Sequence, residues 1–530
     1  MSPTRPHDSI PAWDTAELPV PRALAWRDWT AFIGPGIVMM GIQIGGGEWL
    51  LGPEVTARYG GGLMWIATIA IIGQVFYNLE CGRYALYCGE PIFTGFMRTR
   101  PGPRFWMGVI LLLNLAALIP GLSTHAAAMC VSLWLGRPPD EADRALVTYC
   151  AYGFLLAVSL PMFTGGKVYN VLQAVMTVKV VVVLGFCLLL GALCVRADNW
   201  WNVFSGFAKF GTVPTEVDGR ETTVNVFGSL WYDGAWPAVA LGNIAVLGAF
   251  AGYAGGGGLS NATYSNFVRD KGWGMGQIVG AIPSAVGGHH VSLSHVGKVF
   301  VVDPANLARW KAWWRYLLVD QVAVWAPGCF MGMALPALLS LEFAPHSSLA
   351  EGGLEWSQSL ITADGLRHAP QFAPAVAQLL WIVTVLVGML VMLPSQMSIV
   401  DDFSRRWTDI LWSGSRRVRA SLAGNQVKLV YYTILIGYVL WSFVCAYFFS
   451  TYGTPKLMTL VIANLNNLAI GITSFHLLWI NCRLLPVELR PRWYHRAGVI
   501  VCGVFYLSLA ALVFIETQLP ALRQWLGAAG

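Results

Sequence analysis

Runs of mostly apolar residues, divided by short polar segments, recur from about Thr30 to about Glu516. A helix needs roughly 20 such residues to cross a bilayer. Eleven runs meet that length, at about 30–58, 62–88, 105–134, 145–163, 168–194, 238–268, 312–341, 372–400, 428–450, 455–481 and 496–516. Two connecting segments are long. Residues 196–237 hold a polar stretch around Thr212–Asn225. Residues 270–311 hold Gly287-Gly288-His289-His290 and His295, are moderately apolar, and have room for a short surface helix but no further span.

Two spans are interrupted. The first reads Gly41-Ile42-Gln43-Ile44-Gly45-Gly46-Gly47-Glu48-Trp49, and the sixth reads Gly252-Tyr253-Ala254-Gly255-Gly256-Gly257-Gly258. Three consecutive glycines cost a helix roughly 3 kcal/mol relative to alanine. The two spans are corresponding members of two five-span halves. Glycine-broken spans at matched positions point to a carrier's binding site, because unwound backbone at that depth must line a cavity or be buried in protein. The bland alternative is close helix packing through small residues. The predicted fold is therefore an all-α integral membrane protein with an inverted repeat of five plus five spans, an eleventh span, and spans one and six discontinuous. Its parts are a tail over 1–29, one transmembrane unit over 30–516 and a short tail over 517–530. Repeat one covers about 30–194, repeat two about 238–481, and the extra span 496–516.

Composition agrees. Charged residues make up 12% and hydrophobic residues 56% of the 530, with a mean hydropathy of +0.56. Soluble domains carry roughly 25% charge. The first 29 residues are polar, contain five prolines and read as a disordered tail without a cleavable signal. With the N-terminus inside, the inner segments hold 24 Lys and Arg and the outer ones 9. That bias predicts a cytoplasmic N-terminus and an outer C-terminus, in a bacterial inner (plasma) membrane. The ten cysteines lie in or beside apolar runs and form no CxxC pair, so they read as packing residues. No P-loop, HExxH or nucleophile–base spacing suggests a pump or an enzyme, and no cofactor is implied.

The chain resembles the Nramp family of metal-ion transporters, most clearly over the first two spans. Gly34-Pro35, Gly45-Gly46-Gly47-Glu48, Trp49, Glu54, Arg58, Tyr59 and Gly60 follow that family's first span, and Leu63-Met64-Trp65 its second-span start. Trp313-Trp314-Arg315-Tyr316 with Asp320 is similar to its seventh. The resemblance implies the LeuT fold of the APC superfamily and proton-linked uptake of manganese or iron. The departures fall on the metal site. The family's metal-binding Asp is Gly45 here, its Asn is Glu48, and its sixth-span Met-Pro-His falls near Gly252-Tyr253-Ala254. Without the soft sulfur that helps select transition metals, a harder ion such as Mg²⁺ at Glu48 becomes the alternative metal.

The candidate substrate residues are Gln43, Gly45, Gly46, Gly47, Glu48, Gly252, Tyr253, Ala254, Gly255 and Gly256. An intramembrane carboxylate such as Glu48 is a functional candidate by default, although it could simply cap the outer half-helix. Lys179, mid-span five, is a candidate for ion coupling or for an internal pair with Glu48 or Asp320. Some proton-coupled amino-acid carriers of the same fold place a lysine on span five, where it substitutes for sodium. Asp320 (about a turn from Arg315), His125, Ser395 and Ser398 complete the coupling candidates. Asn464, Asn466 and Asn467 could border the pathway. Glu54 and Arg58, at i, i+4, read as structural, Glu80 and Arg83 as snorkelling edge residues, and the basic run Arg405–Arg419 as an inside loop. The expected function is secondary transport of a divalent cation, with symport of a small organic solute coupled to protons or sodium as the rival. A non-transporting membrane receptor is the alternative from another class.

Overall fold

The structure is a computed structural model that describes residues 10–22, 34–164, 167–286, 290–349, 354–520 and 523. His289, Gly287, Gly288, most of the final tail and the start of the first span lie outside them.

Eight helices among the described residues are long and apolar enough to cross a membrane. They correspond to spans three, four, five, seven, eight, nine, ten and eleven. The other three differ for physical reasons. Spans one and six are broken, and span two (Trp65–Cys88) carries Gln74, Asn78, Glu80 and Arg83 along its buried side. Large apolar side chains on the outer helices, such as Val178, Val181 and Leu189 of span five, point away from the protein. That is the surface lipid covers.

Span one consists of Pro35–Gln43 and Gly52–Tyr59, joined through Ile44–Gly46 and a π turn over Gly47–Leu51. Ile44, at φ −65° and ψ 83°, leaves the helical region. Span six consists of Ile244–Tyr253 and Tyr264–Lys271. Between them Gly255, Gly256, Gly257 and Gly258 all have positive φ, from +64° to +105°. An L-residue with a side chain pays roughly 1–2 kcal/mol for each left-handed position, so the four-glycine run is what permits this break.

The first half of span one packs on spans five and seven, and its second half on span seven. Span ten packs on the first half of span six and on span eleven; span eight packs on spans three, five and nine. Apolar burial gives little drive between helices in lipid, so close approach and polar contacts carry the association. Gly41 lies against Met176 in this way, and Gly46 against the Tyr253 ring.

Several connections depart from expectation. Residues 10–22 form an ordered strap, not a loose tail. Strand β1 (Asp14–Thr15) pairs in parallel with β4 (Lys298–Val299). Trp13 Nε1 donates to Glu90 at 2.9 Å, Arg98 Nη1 to Pro11 O at 2.8 Å, and Trp313 Nε1 to Pro19 O at 2.8 Å. The stretch Thr212–Asn225 is a hairpin of β2 (Thr212–Val217) and β3 (Arg220–Asn225). Span three breaks at Asn114, between Pro103–Leu113 and Gly121–Leu135. Span eight runs on as one helix, Pro374–Gly414, well past the expected limit of 400.

Candidate functional site

The two breaks touch. A Cβ on Gly47 would stand 2.7 Å from Tyr253 O, and one on Gly256 would collide with the Gln43 side chain. Small residues are therefore required on both sides of this crossing. Beside it lies a small cavity of about 80 Å³, room in this conformation for a few water molecules.

The cavity brings together Gln43 and Gly46 of the first break with Tyr253 and Gly256 of the sixth. Gly45, Gly47, Glu48, Gly252, Ala254 and Gly255 do not line it. Its walls are largely apolar, from Ile42, Leu113, Leu122, Leu259, Ile399 and Ile462. Polar groups come from Ser260 and Asn466, and from Asn114, Asp402 and Arg406, which sequence reasoning missed as site residues.

Glu48 is fully buried behind the glycine triplet. Its Oε2 accepts from Gly45 N at 3.1 Å, closing the N-terminus of the outer half-helix as an acidic cap does. Its Oε1 has no hydrogen-bond partner among the described residues. Lys179 is also fully buried, on the protein-facing side of span five, and donates to Ser395 Oγ. The Ser395 hydroxyl donates in turn to Ile42 O at 3.1 Å, a carbonyl freed by the first break. Span five, span eight and the break are thus joined through one hydroxyl.

Other candidates sit elsewhere. Ser398 Oγ donates back to Ser395 O at 2.6 Å within its own helix. His125 Nε2 meets Thr459 Oγ1 at 2.8 Å, between spans three and ten. Asn464 Nδ2 donates to Ala245 O at 3.0 Å and Asn467 Nδ2 to Gly248 O at 2.8 Å, which ties span ten to span six. Asp320 pairs with neither Arg315 nor Lys179. It accepts from Gly36 N (2.8 Å), Tyr264 Oη (2.8 Å) and Gln321 Nε2 (3.1 Å), so it pins the N-terminal end of span one to span six. No group of three or more His, Cys, Asp or Glu that could hold a metal ion occurs among the described residues.

The C-terminal end of span eight and the buried side of span two correct two further readings. Arg405 and Arg406 are not loop residues but lie fully buried in a helix. Arg405 bonds Asp401 at 3.0 Å and also Asp270 of span six. Arg269 bonds Asp270 at 2.7 Å and also Asp409. Arg406 bonds Asp402, Asn114 Oδ1 and Leu259 O. Asp401/Arg405 and Asp402/Arg406 are i, i+4 pairs, and that spacing was the available signal. Glu80 and Arg83 do not snorkel: they are buried, 2.9 Å apart, and Asn481 Nδ2 donates to Glu80 at 2.8 Å. At the C-terminal end of span one Glu54 does bond Arg58 (3.4 Å), and also Lys456 (2.9 Å) and Gln358 (2.6 Å).

Three side-chain donors on the cavity-lining residues carry no hydrogen bond among the described residues: Gln43 Nε2, Asn114 Nδ2 and Arg406 Nε. A buried donor left unsatisfied costs about 1–3 kcal/mol.

Taken together, two glycine-broken helices crossing beside one cavity define an all-helical membrane protein with the LeuT-like transporter fold. Crystal structures of the manganese transporter of Eremococcus coleocola share it. The form bound to an aromatic bis-isothiourea substituted compound matches with a TM-score of 0.60 at 13% identity, over 98% of this chain and 95% of that one. A histidine-to-alanine variant of that transporter matches at 0.59 and 14%, over the same shares. No family model and no curated protein matches the chain.

Proposed function

We propose that this chain is a secondary transporter working by alternating access, and that it carries a small organic solute. The observation behind the reading is the shared cavity at the crossing of the two breaks, with apolar walls and a few polar groups. Small-molecule sites have that composition, whereas a bare divalent cation needs several converging oxygens. Glu48 supplies one free carboxylate oxygen and stands behind the wall. The fold shared with the manganese transporter supports the transporter class, and the manganese belongs to that protein.

Lys179 is the proposed coupling group. Its ammonium reaches the first break through Ser395, so loss of its proton would loosen span five from span one at the cavity's edge. The buried ion pairs of Arg269, Asp270, Arg405 and Asp409 tie span six to span eight, and on this reading they part as the carrier changes its open side.

The test is uptake and counterflow in proteoliposomes across organic solutes and divalent cations. Saturable exchange of an organic solute, with no cation exchange, is expected. A second reading keeps the unpartnered Glu48 Oε1 as a ligand for a hard divalent ion. It requires cation uptake that Glu48→Ala abolishes, and that outcome would replace the first reading.

A further inference from the structure

Gln43, Asn114 and Arg406 come from spans one, three and eight and all line this cavity. In each, the unpartnered atom is a donor, and the partner on its other atom fixes that assignment. Asn114 Oδ1 takes a bond from Arg406 Nη1, and a guanidinium can only donate, so the free atom of this amide is its NH₂. Gln43 Oε1 takes a bond from Trp325 Nε1, an indole that can only donate, so its free atom is again NH₂. Arg406 Nε is a donor in every protonation state a protein reaches. The positive charge of Arg406 is already met by Asp402. All three nitrogens are buried in this conformation, so what this side holds for a ligand that enters as the site opens is a set of N–H groups more than a net charge.

We propose that these three donors bind the cargo through sp² acceptor oxygens, making it a carboxylate or carbonyl compound with an apolar remainder that lies against Leu122, Ile399 and Ile462. This rests on the reading of the chain as an organic-solute carrier. A site built to hydrogen-bond a group rejects analogues lacking it, because its own buried atoms are then left unpaired. An ammonium head, which can only donate, would face three donors.

Calorimetry on the purified full-length protein, with carboxylates and their matched amides and primary amines over a series of alkyl and aryl tails, tests this. Carboxylates or amides should bind and the matched amines should not. Preference between the first two tells an anionic cargo from a neutral one. Asn114→Asp and Gln43→Glu are near-isosteric and keep the bonds received from Arg406 and Trp325, but each turns a free donor into an acceptor. Each should weaken the bound acid or amide about tenfold or more; if one fails to fold, the other reads the same exchange. Preferential binding of amines, binding of none of the series, or unchanged affinity in the folded variants overturns the proposal. Amine exchange in proteoliposomes would leave the organic-solute reading standing, whereas exchange of divalent cations alone would remove both.

Discussion

Gly256→Ala probes the geometry on which the cavity depends. Gly256 has φ +105°, outside the range a residue with a Cβ adopts readily. The backbone cost is about 1–2 kcal/mol. The new methyl would also stand 2.6 Å from Gln43 Cδ, so the Gln43 side chain has to move. Moving it breaks the bond from Trp325, which costs about 0.5–1.5 kcal/mol net. Together the loss is about 1.5–3.5 kcal/mol. Gly437→Ala is the control: Gly437 lies mid-helix in span nine with open space around it, so alanine there should gain about 0.5–1 kcal/mol. The assay is thermal unfolding of the full chain in detergent, the two variants run side by side with the parent. The midpoint should fall for Gly256→Ala and hold or rise for Gly437→Ala. A Gly256→Ala protein as stable as the parent would refute the left-handed break and the contact with Gln43.

Arg405→Met leaves Asp401 without a cationic partner in a buried site and takes one of two from Asp270, and should cost about 3–5 kcal/mol; adding Asp401→Leu should return part of the lost unfolding midpoint. Lys179→Met cannot bond Ser395, so solute uptake should lose its dependence on an imposed pH gradient while counterflow persists; gradient-driven uptake at the parental rate would remove Lys179 from coupling. Burial alone would raise the Glu90 carboxyl, but Arg98, Trp13 and the Gly297 amide outweigh it and hold it below its ordinary value. A depressed carboxyl stabilises the fold above its unfolded value, near 4.3, and that stability is lost as pH falls through the folded value. Hydrogen exchange in residues 10–22 should therefore rise at acid pH, and Glu90→Gln should bring the same rise at neutral pH.

The broken spans were legible because glycine runs oppose a helix by themselves. Gln43, Gly46, Tyr253 and Gly256, taken from those runs, line the cavity. Asn114, Asp402 and Arg406 were hidden because tertiary placement gives them meaning. Asn114 looks like any polar residue in an apolar run until span three breaks there. Arg405 and Arg406 begin a basic stretch that reads as a loop by charge, but acids one helical turn earlier keep both arginines inside a helix. The strap over 10–22 has no apolar period to reveal it, since backbone carbonyls bonded to Arg98 and Trp313 hold it in place. Asp320 found its partners across the fold, at Gly36 and Tyr264, where spacing along one helix gives no hint.

Span eight, 41 residues in one helix, is about 60 Å long at 1.5 Å per residue, roughly twice the thickness of a bilayer's hydrocarbon layer. On this single mast sit Ser395 beside Lys179, Asp402 and Arg406 at the chamber, and Asp401, Arg405 and Asp409 below it. If the chain works as proposed, tilting the mast would shift all three levels in step and gear proton, cargo and closure to one another by a common shaft.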